Sequence, residues 1–193
     1  MRIDELADRI KHTAPSAGST RVVAIDGPAG SGKSTLAARL AGPLDAPTVH
    51  MDDIYPGWDG LAAGPSRLLE WILEPLASGR VARYRRYDWE ASRYADWVDV
   101  PDADTLIVEG CASGARSGAP YVSFLIWVQA PRDVRMRRGI ERDGEVFRPH
   151  WEQWAAQEGV HFAAEGTAGR ADVSIDGAPS MVHDPEREVV LPG

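Results

Sequence analysis

The run from Arg21 to Ser34 constrains the fold more than any other part of this chain. Val22, Val23, Ala24 and Ile25 are apolar without a break, which suits an interior parallel strand buried on both faces. Gly27-Pro28-Ala29-Gly30-Ser31-Gly32-Lys33-Ser34 follows at once, with Gly27 and Gly32 bracketing four residues ahead of Lys33. Glycines permit tight turns there and let successive backbone N–H groups face phosphate oxygens. Lys33 adds a cation for the outer phosphates, and Ser34 adds a hydroxyl for a divalent ion. Leu36, Ala37 and Leu40 then supply a helical face over 33–41, whose N-terminus brings partial positive charge to the anion. Strand, glycine loop and helix in this order predict a nucleoside triphosphate held by residues 27–34 and Thr35.

The remaining periodicity predicts an α/β chain with a central, mainly parallel sheet flanked by helices; together with the phosphate-loop motif and a helical lid, the expected class is a P-loop NTPase fold. A short amphipathic helix is expected over 4–11, a second strand over 48–51, and a helix over 65–78 that Pro75 ends or bends. Residues 81–89 are expected to be irregular and extended. Further strands fall at 105–108, 122–128 and 172–176, with helices from Pro131 to about Arg142 and over 150–164. The tail from Gly177 is breaker-rich, with Val189–Leu191 as its one candidate for the core. With 193 residues and 44% hydrophobic composition, one core suffices, so residues 1–193 are expected to form a single domain with a lid at about 132–164.

Charge and cysteine content narrow the function classes. Lys and Arg number 21 against 29 acidic residues, and a net charge of -8 argues against nonspecific nucleic-acid binding. One cysteine allows no intramolecular disulfide and no Cys-rich metal cluster. The longest apolar stretches fall short of the roughly 20 residues of a membrane span. These features lead us to expect a cytoplasmic protein whose partner is a small molecule rather than nucleic acid or membrane, with oligomeric state open.

Several acidic groups fall where chemistry is expected. Asp52 and Asp53 follow the second strand, at the edge where parallel strands open toward a ligand. Asp52 is the candidate to orient an acceptor hydroxyl and take its proton. Asp53 either acts on magnesium through water or caps the next segment. Glu109 ends the 105–108 strand and either holds magnesium-bound water or binds acceptor hydroxyls. His50 reads as an ordinary strand histidine, and Cys111 has no recognisable catalytic partner.

Arg135, Arg138 and Arg142 recur at i, i+3 and i+7 and share one helical face, whereas Arg137 lies off it. A positive face in an acidic protein calls for an anion. Arg135 is assigned to the nucleotide, Arg138 and Arg142 to charge developing during transfer. Arg142-Asp143-Gly144 breaks this helix, as a closing lid requires. Arg83-Tyr84-Arg85-Arg86-Tyr87-Asp88-Trp89 interleaves aromatics and charges and is a candidate acceptor wall. Of the seven tryptophans, Trp58 and Trp89 have the neighbours most suited to touching a substrate.

On the phosphate loop, Asp52-Asp53-Ile54-Tyr55, Tyr87-Asp88-Trp89, Ile107-Val108-Glu109-Gly110 and the arginine helix, the chain resembles uridine kinase-like P-loop nucleoside and small-metabolite kinases over roughly 20–176. The resemblance implies ATP, magnesium and transfer to a primary hydroxyl such as a nucleoside 5′ oxygen. It places Asp52 as the base, Tyr55, Tyr87 and Asp88 near the substrate, and Arg135, Arg138 and Arg142 on the lid; the residues themselves add Arg86 and Glu109 as candidates for the substrate and Ser34, Asp53 and Glu109 for the metal. The chain departs from that pattern where Glu90-Ala91-Ser92-Arg93 lacks the base-reading histidine, and the segment between the second and third core strands is short for a base-reading hairpin. Sugar acids, a nucleoside monophosphate and a pantothenate-like alcohol stay open as acceptors. The contrasting classes are a nucleotide-dependent ATPase switch and a nonenzymatic binding protein.

Overall fold

In the computed structural model, which describes residues 1–144 and 148–193, β1 (Arg21–Asp26) lies at the centre of a five-stranded parallel sheet. Its neighbours are β5 (Thr105–Glu109) and β6 (Phe124–Gln129), and β2 (Thr48–His50) and β7 (Val173–Asp176) form the edges. Ile25 sits level with Glu109, and Glu109 level with His50, so the carboxyl ends of three strands meet along one edge. That edge is where an open α/β sheet binds ligands.

Alternation along the strands explains their unbroken apolar character. Val23, Ile25 and Ile107 pack on one side with α1 (Ile3–Lys11) and α2 (Lys33–Leu44). Val22, Leu106 and Val108 pack on the other with Met51, Tyr55, Ile72 and Trp154. Both faces are covered, and neither can be polar.

The expected helix over 65–78 is interrupted: α3 (Gly64–Leu68) leads into a π-helical turn at Leu69–Leu73 before α4 (Glu74–Ala77). Pro75 lacks the N–H that would bond four residues back, and its ring crowds that carbonyl, so the wider turn relieves the clash. The expected irregular segment is instead a hairpin, β3 (Arg83–Asp88) with β4 (Arg93–Asp99). The chain between β2 and β5 is therefore long enough for a hairpin, contrary to the sequence reading. Tyr84 and Val98 pack toward the core, and outside them Arg83 lies over Trp97 at 4.7 Å and Arg67 over Tyr94 at 4.9 Å, so cation–aromatic stacking adds to the hairpin's small apolar face.

α5 (Arg132–Asp143) ends at Gly144, and α6 (Arg148–Glu165) and α7 (Thr167–Arg170) precede β7. Within the anticipated lid, residues 145–147 lie outside the described residues. The tail is more integrated than its composition suggests. Val189 is buried and donates its N–H to Met1 O at 2.8 Å, while Arg39 binds Glu188 O at 2.6 Å. Among the described residues no helix is long and apolar enough to cross a membrane.

Candidate active site

The loop after β1 is shaped by close approach as much as by turning. Gly27 has φ 143°, and a Cβ there would sit 2.0 Å from Val128 O. Gly30, at φ 75°, would place one 2.4 Å from Arg135 O. Only glycine lets the loop pass between β6 and α5 at these points. Lys33 Nζ donates to Pro28 O at 3.0 Å and lies 3.7 Å from Cys111 Sγ. Burial alone would lower the Lys33 pKa, but Cys111, Glu109, Glu158 and Asp26 around it outweigh that and raise it.

Two acidic residues buried in this region were not singled out from the sequence. Asp26 is fully buried, and its carboxylate accepts N–H bonds from Gly27 at 2.7 Å, Ala112 at 2.8 Å and Gly114 at 3.0 Å. It ties the start of the phosphate loop to the loop after β5. Burial pushes its pKa up to about 6, against the pull of those N–H groups and Lys33. Glu158 accepts the Ala29 N–H at 2.6 Å and the Cys111 thiol at 3.1 Å, and faces Arg135 at 3.6 Å. The available signal was its spacing: Trp151, Trp154 and Glu158 at i, i+3 and i+7 put a carboxylate on the buried stripe of α6.

At the strand edge, Glu109 Oε1 accepts the Ser34 hydroxyl at 3.0 Å and lies 2.6 Å from His50 Nδ1. Burial pushes the Glu109 carboxyl up, but the His50 hydrogen bond and the Lys33 charge more than offset this and lower its pKa. The hydrogen bond to Glu109 raises the His50 pKa in turn. His50 therefore supports Glu109, a role its reading as an ordinary strand residue did not include. A 3₁₀ turn over Met51–Asp53 buries Met51 and exposes Asp52, and Asp53 Oδ2 accepts the Tyr84 hydroxyl at 3.3 Å.

A single cavity of about 1060 Å³ joins these groups. Ala29, Gly30, Gly32, Lys33, Ser34 and Thr35 line it, with Arg138 and Arg142 from α5. Arg135 and Arg138 reach the loop carbonyls of Ala29, at 3.2 Å, and Gly30, at 3.4 Å. Arg137 is exposed, as its place off the shared face predicts. Gly177–Pro179 and Glu188–Val190 wall one part of the cavity; Asp52, Asp53, Trp58, Trp89 and Trp154 wall another. Trp58 packs on Trp89 with centroids 4.8 Å apart and stacks on His150 at 4.4 Å.

Four expected acceptor contacts are placed elsewhere. Tyr55 is fully buried, edge-on to Trp154, and its hydroxyl donates to Cys111 O, so it belongs to the core. Asp88 accepts the Ala91 N–H at 2.8 Å and closes the hairpin turn. Tyr87 packs on Trp89 and Tyr94, and Arg86 is exposed on β3. None of the four lines the cavity among the described residues.

The residues present fit a magnesium-bound nucleotide. A Cβ added at Gly32 would meet only Gly177 O at 3.9 Å and Arg138 Nη1 at 4.0 Å, so the space beside the loop is open. Among the described residues there is no cluster of three or more His, Cys, Asp or Glu able to hold a metal. Magnesium needs none, since it takes one or two protein ligands and completes its shell with phosphate and water.

A parallel sheet with a phosphate loop between its central strand and the following helix is the P-loop NTPase fold. Solved structures agree. A possible uridine kinase from Bacillus stearothermophilus superimposes with a TM-score of 0.62 at 22% identity, over 89% of this chain and 96% of that one. A candidate fructose transport system kinase from Silicibacter sp. TM1040 gives 0.60 at 21%, over 90% and 98%. No protein-family model matches the chain. In sequence it is similar to the cytidylate kinase of Haloarcula marismortui, 31% identical over 127 residues covering 65% of this chain and 60% of that protein. The cytidylate kinase of Natronomonas pharaonis is 32% identical over 123 residues, covering 63% and 58%. The chain thus spans about 60% of the length of these curated relatives.

Proposed function

We propose that the chain is an ATP- and magnesium-dependent phosphotransferase acting on a hydroxyl of a small metabolite, with nucleosides the first acceptors to test. The observation that carries this reading is the shared cavity. At about 1060 Å³ it exceeds what one small ligand commonly needs, and the phosphate loop and Asp52 both line it.

In this reading the loop N–H groups and Lys33 bind the β- and γ-phosphates. Asp52 orients the acceptor hydroxyl and takes its proton as the new O–P bond forms and the bond to the β–γ bridging oxygen breaks. Arg138 and Arg142 stabilise charge on the transferring group, and Arg135 holds the loop. Ser34, Glu109 and Asp53, which line the same cavity, would hold magnesium, and the ion would supply positive charge to offset that of the phosphates. His50 keeps Glu109 ionised and oriented. α5 and α6 act as a lid within one domain, and Trp58, Trp89 and Trp154 keep water from the acceptor.

The similarity to cytidylate kinases favours a second reading, a nucleoside monophosphate as acceptor. The described lining beside Asp52 is acidic and aromatic, which suits an uncharged hydroxyl compound better. ADP release measured across nucleosides, nucleoside monophosphates, sugar acids and small alcohols, with mass confirmation of the product, tests both readings. Acceptor-independent ATP hydrolysis alone would refute them and favour an ATPase switch.

A further inference from the structure

Glu158 has no part in the chemistry above, yet it is 3% exposed and reaches the phosphate loop. Its carboxylate accepts the Ala29 N–H at 2.6 Å and the Cys111 thiol at 3.1 Å, and lies 3.6 Å from Arg135. The charge of Lys33 is also felt here, since Glu158 is among the groups that raise its pKa. A loop amide, the loop lysine and an arginine from α5 are the donors that a phosphate oxygen takes in a site of this kind. Here the loop amide and Arg135 meet the Glu158 carboxylate instead.

The direction of approach indicates which phosphate is involved. Glu158 comes from α6, whose Trp154 packs against Tyr55 and Trp58 and whose Gln157 donates to Trp58 O at 2.7 Å. Trp58 and Trp154 line the cavity together with Asp52, and Trp58 packs on Trp89, whose indole N–H donates to Asp52 O at 2.9 Å. The inner phosphate belongs at the Gly32–Ser34 amides and the N-terminus of α2. A group reaching Ala29 from the acceptor side meets the terminal one.

We propose that Glu158 is a sensor of the terminal phosphate. Its carboxylate and a γ-phosphate oxygen compete for the Ala29 N–H and the nearby cationic charge, so triphosphate binding expels Glu158 and diphosphate binding does not. Because Glu158 is fixed to α6, the competition couples the lid to whether the nucleotide carries its terminal group. The inference rests on the phosphotransferase reading for the orientation of the nucleotide.

Isothermal titration with magnesium and either ADP or the non-hydrolysable β,γ-imido analogue of ATP tests this on the full chain without turnover. Glu158→Gln keeps an acceptor for Ala29 and removes the charge. It is expected to raise the ratio of the ADP Kd to the analogue Kd by about tenfold, the scale of one charge-assisted hydrogen bond. Glu158→Ala, which cannot remake the bond, is expected to move the ratio in the same direction. An unchanged ratio, with both nucleotides weakened together, would make Glu158 a structural residue and overturn the proposal, as would a ratio that falls. Wild-type protein that binds neither nucleotide would overturn the phosphate-loop reading itself. That failure is distinguishable from a ratio that does not move.

Discussion

Replacing Asp26 by Asn removes a buried charge that sits against the phosphate loop, and the effect on stability should depend on pH in a defined direction. The carboxyl titrates at about 6 in the folded protein against an ordinary value of 3.8, chiefly because burial disfavours its charge. Between those values the unfolded chain has already lost the proton that the folded protein retains. Stability therefore falls as pH rises through this window, then levels once both states are ionised. The interval corresponds to about 3 kcal/mol at roughly 1.4 kcal/mol per pH unit. Asn cannot titrate, so its stability lacks this term. Asn would also turn an N–H toward one of the donors Gly27, Ala112 or Gly114, at a cost of about 1–3 kcal/mol that does not vary with pH. Urea unfolding of both proteins from pH 4 to 8 isolates the slope. The stability of wild type minus that of D26N should drop by up to about 3 kcal/mol between pH 4 and 6.5 and be flat above 7. A difference that is level or rises across that range would refute the claim that burial dominates at Asp26.

Asp52→Asn should lower kcat by about 10²–10⁴-fold while leaving the ATP Kd nearly unchanged, read from steady-state rates and titration. Unchanged turnover would remove Asp52 as the base. Gly30→Ala places a Cβ 2.4 Å from Arg135 O at a φ of 75°, and should cost about 1–3 kcal/mol in urea unfolding as well as nucleotide affinity. Tyr55→Phe removes the hydroxyl bonded to Cys111 O and should cost about 1 kcal/mol of stability without altering the acceptor KM. A raised KM would return Tyr55 to the acceptor wall.

The phosphate loop was legible because binding a polyphosphate through backbone N–H groups demands glycines, a lysine and a hydroxyl in fixed order. The strands around it were legible for a related reason, since burial on both faces leaves only apolar choices. The β3–β4 hairpin was not, because Arg83, Arg85, Tyr94 and Trp97 pair through stacking and expose their charges, and Asp88–Ser92 contains no glycine to mark a turn. Tyr55 was misplaced because its proximity in sequence to Asp52 does not reveal direction. The turn over Met51–Asp53 sends Asp52 outward and Tyr55 into the core. Asp26 escaped because the Ala112 and Gly114 N–H groups that hold it are distant in sequence, and Glu158 because its place on the buried stripe of α6 does not reveal the distant Ala29 N–H it accepts.

The central position of β1 also governs the order of events during folding. Both of its partners, β5 and β6, lie far downstream, with Arg21 level with Thr105 and Val23 level with Phe124. A chain emerging from the ribosome therefore carries its glycine loop long before any scaffold exists to shape it. Closing such distant contacts is slow. Nucleotide capture should thus appear late in refolding, after β5 and β6 have docked, and ligand added to early intermediates should find nothing to grip.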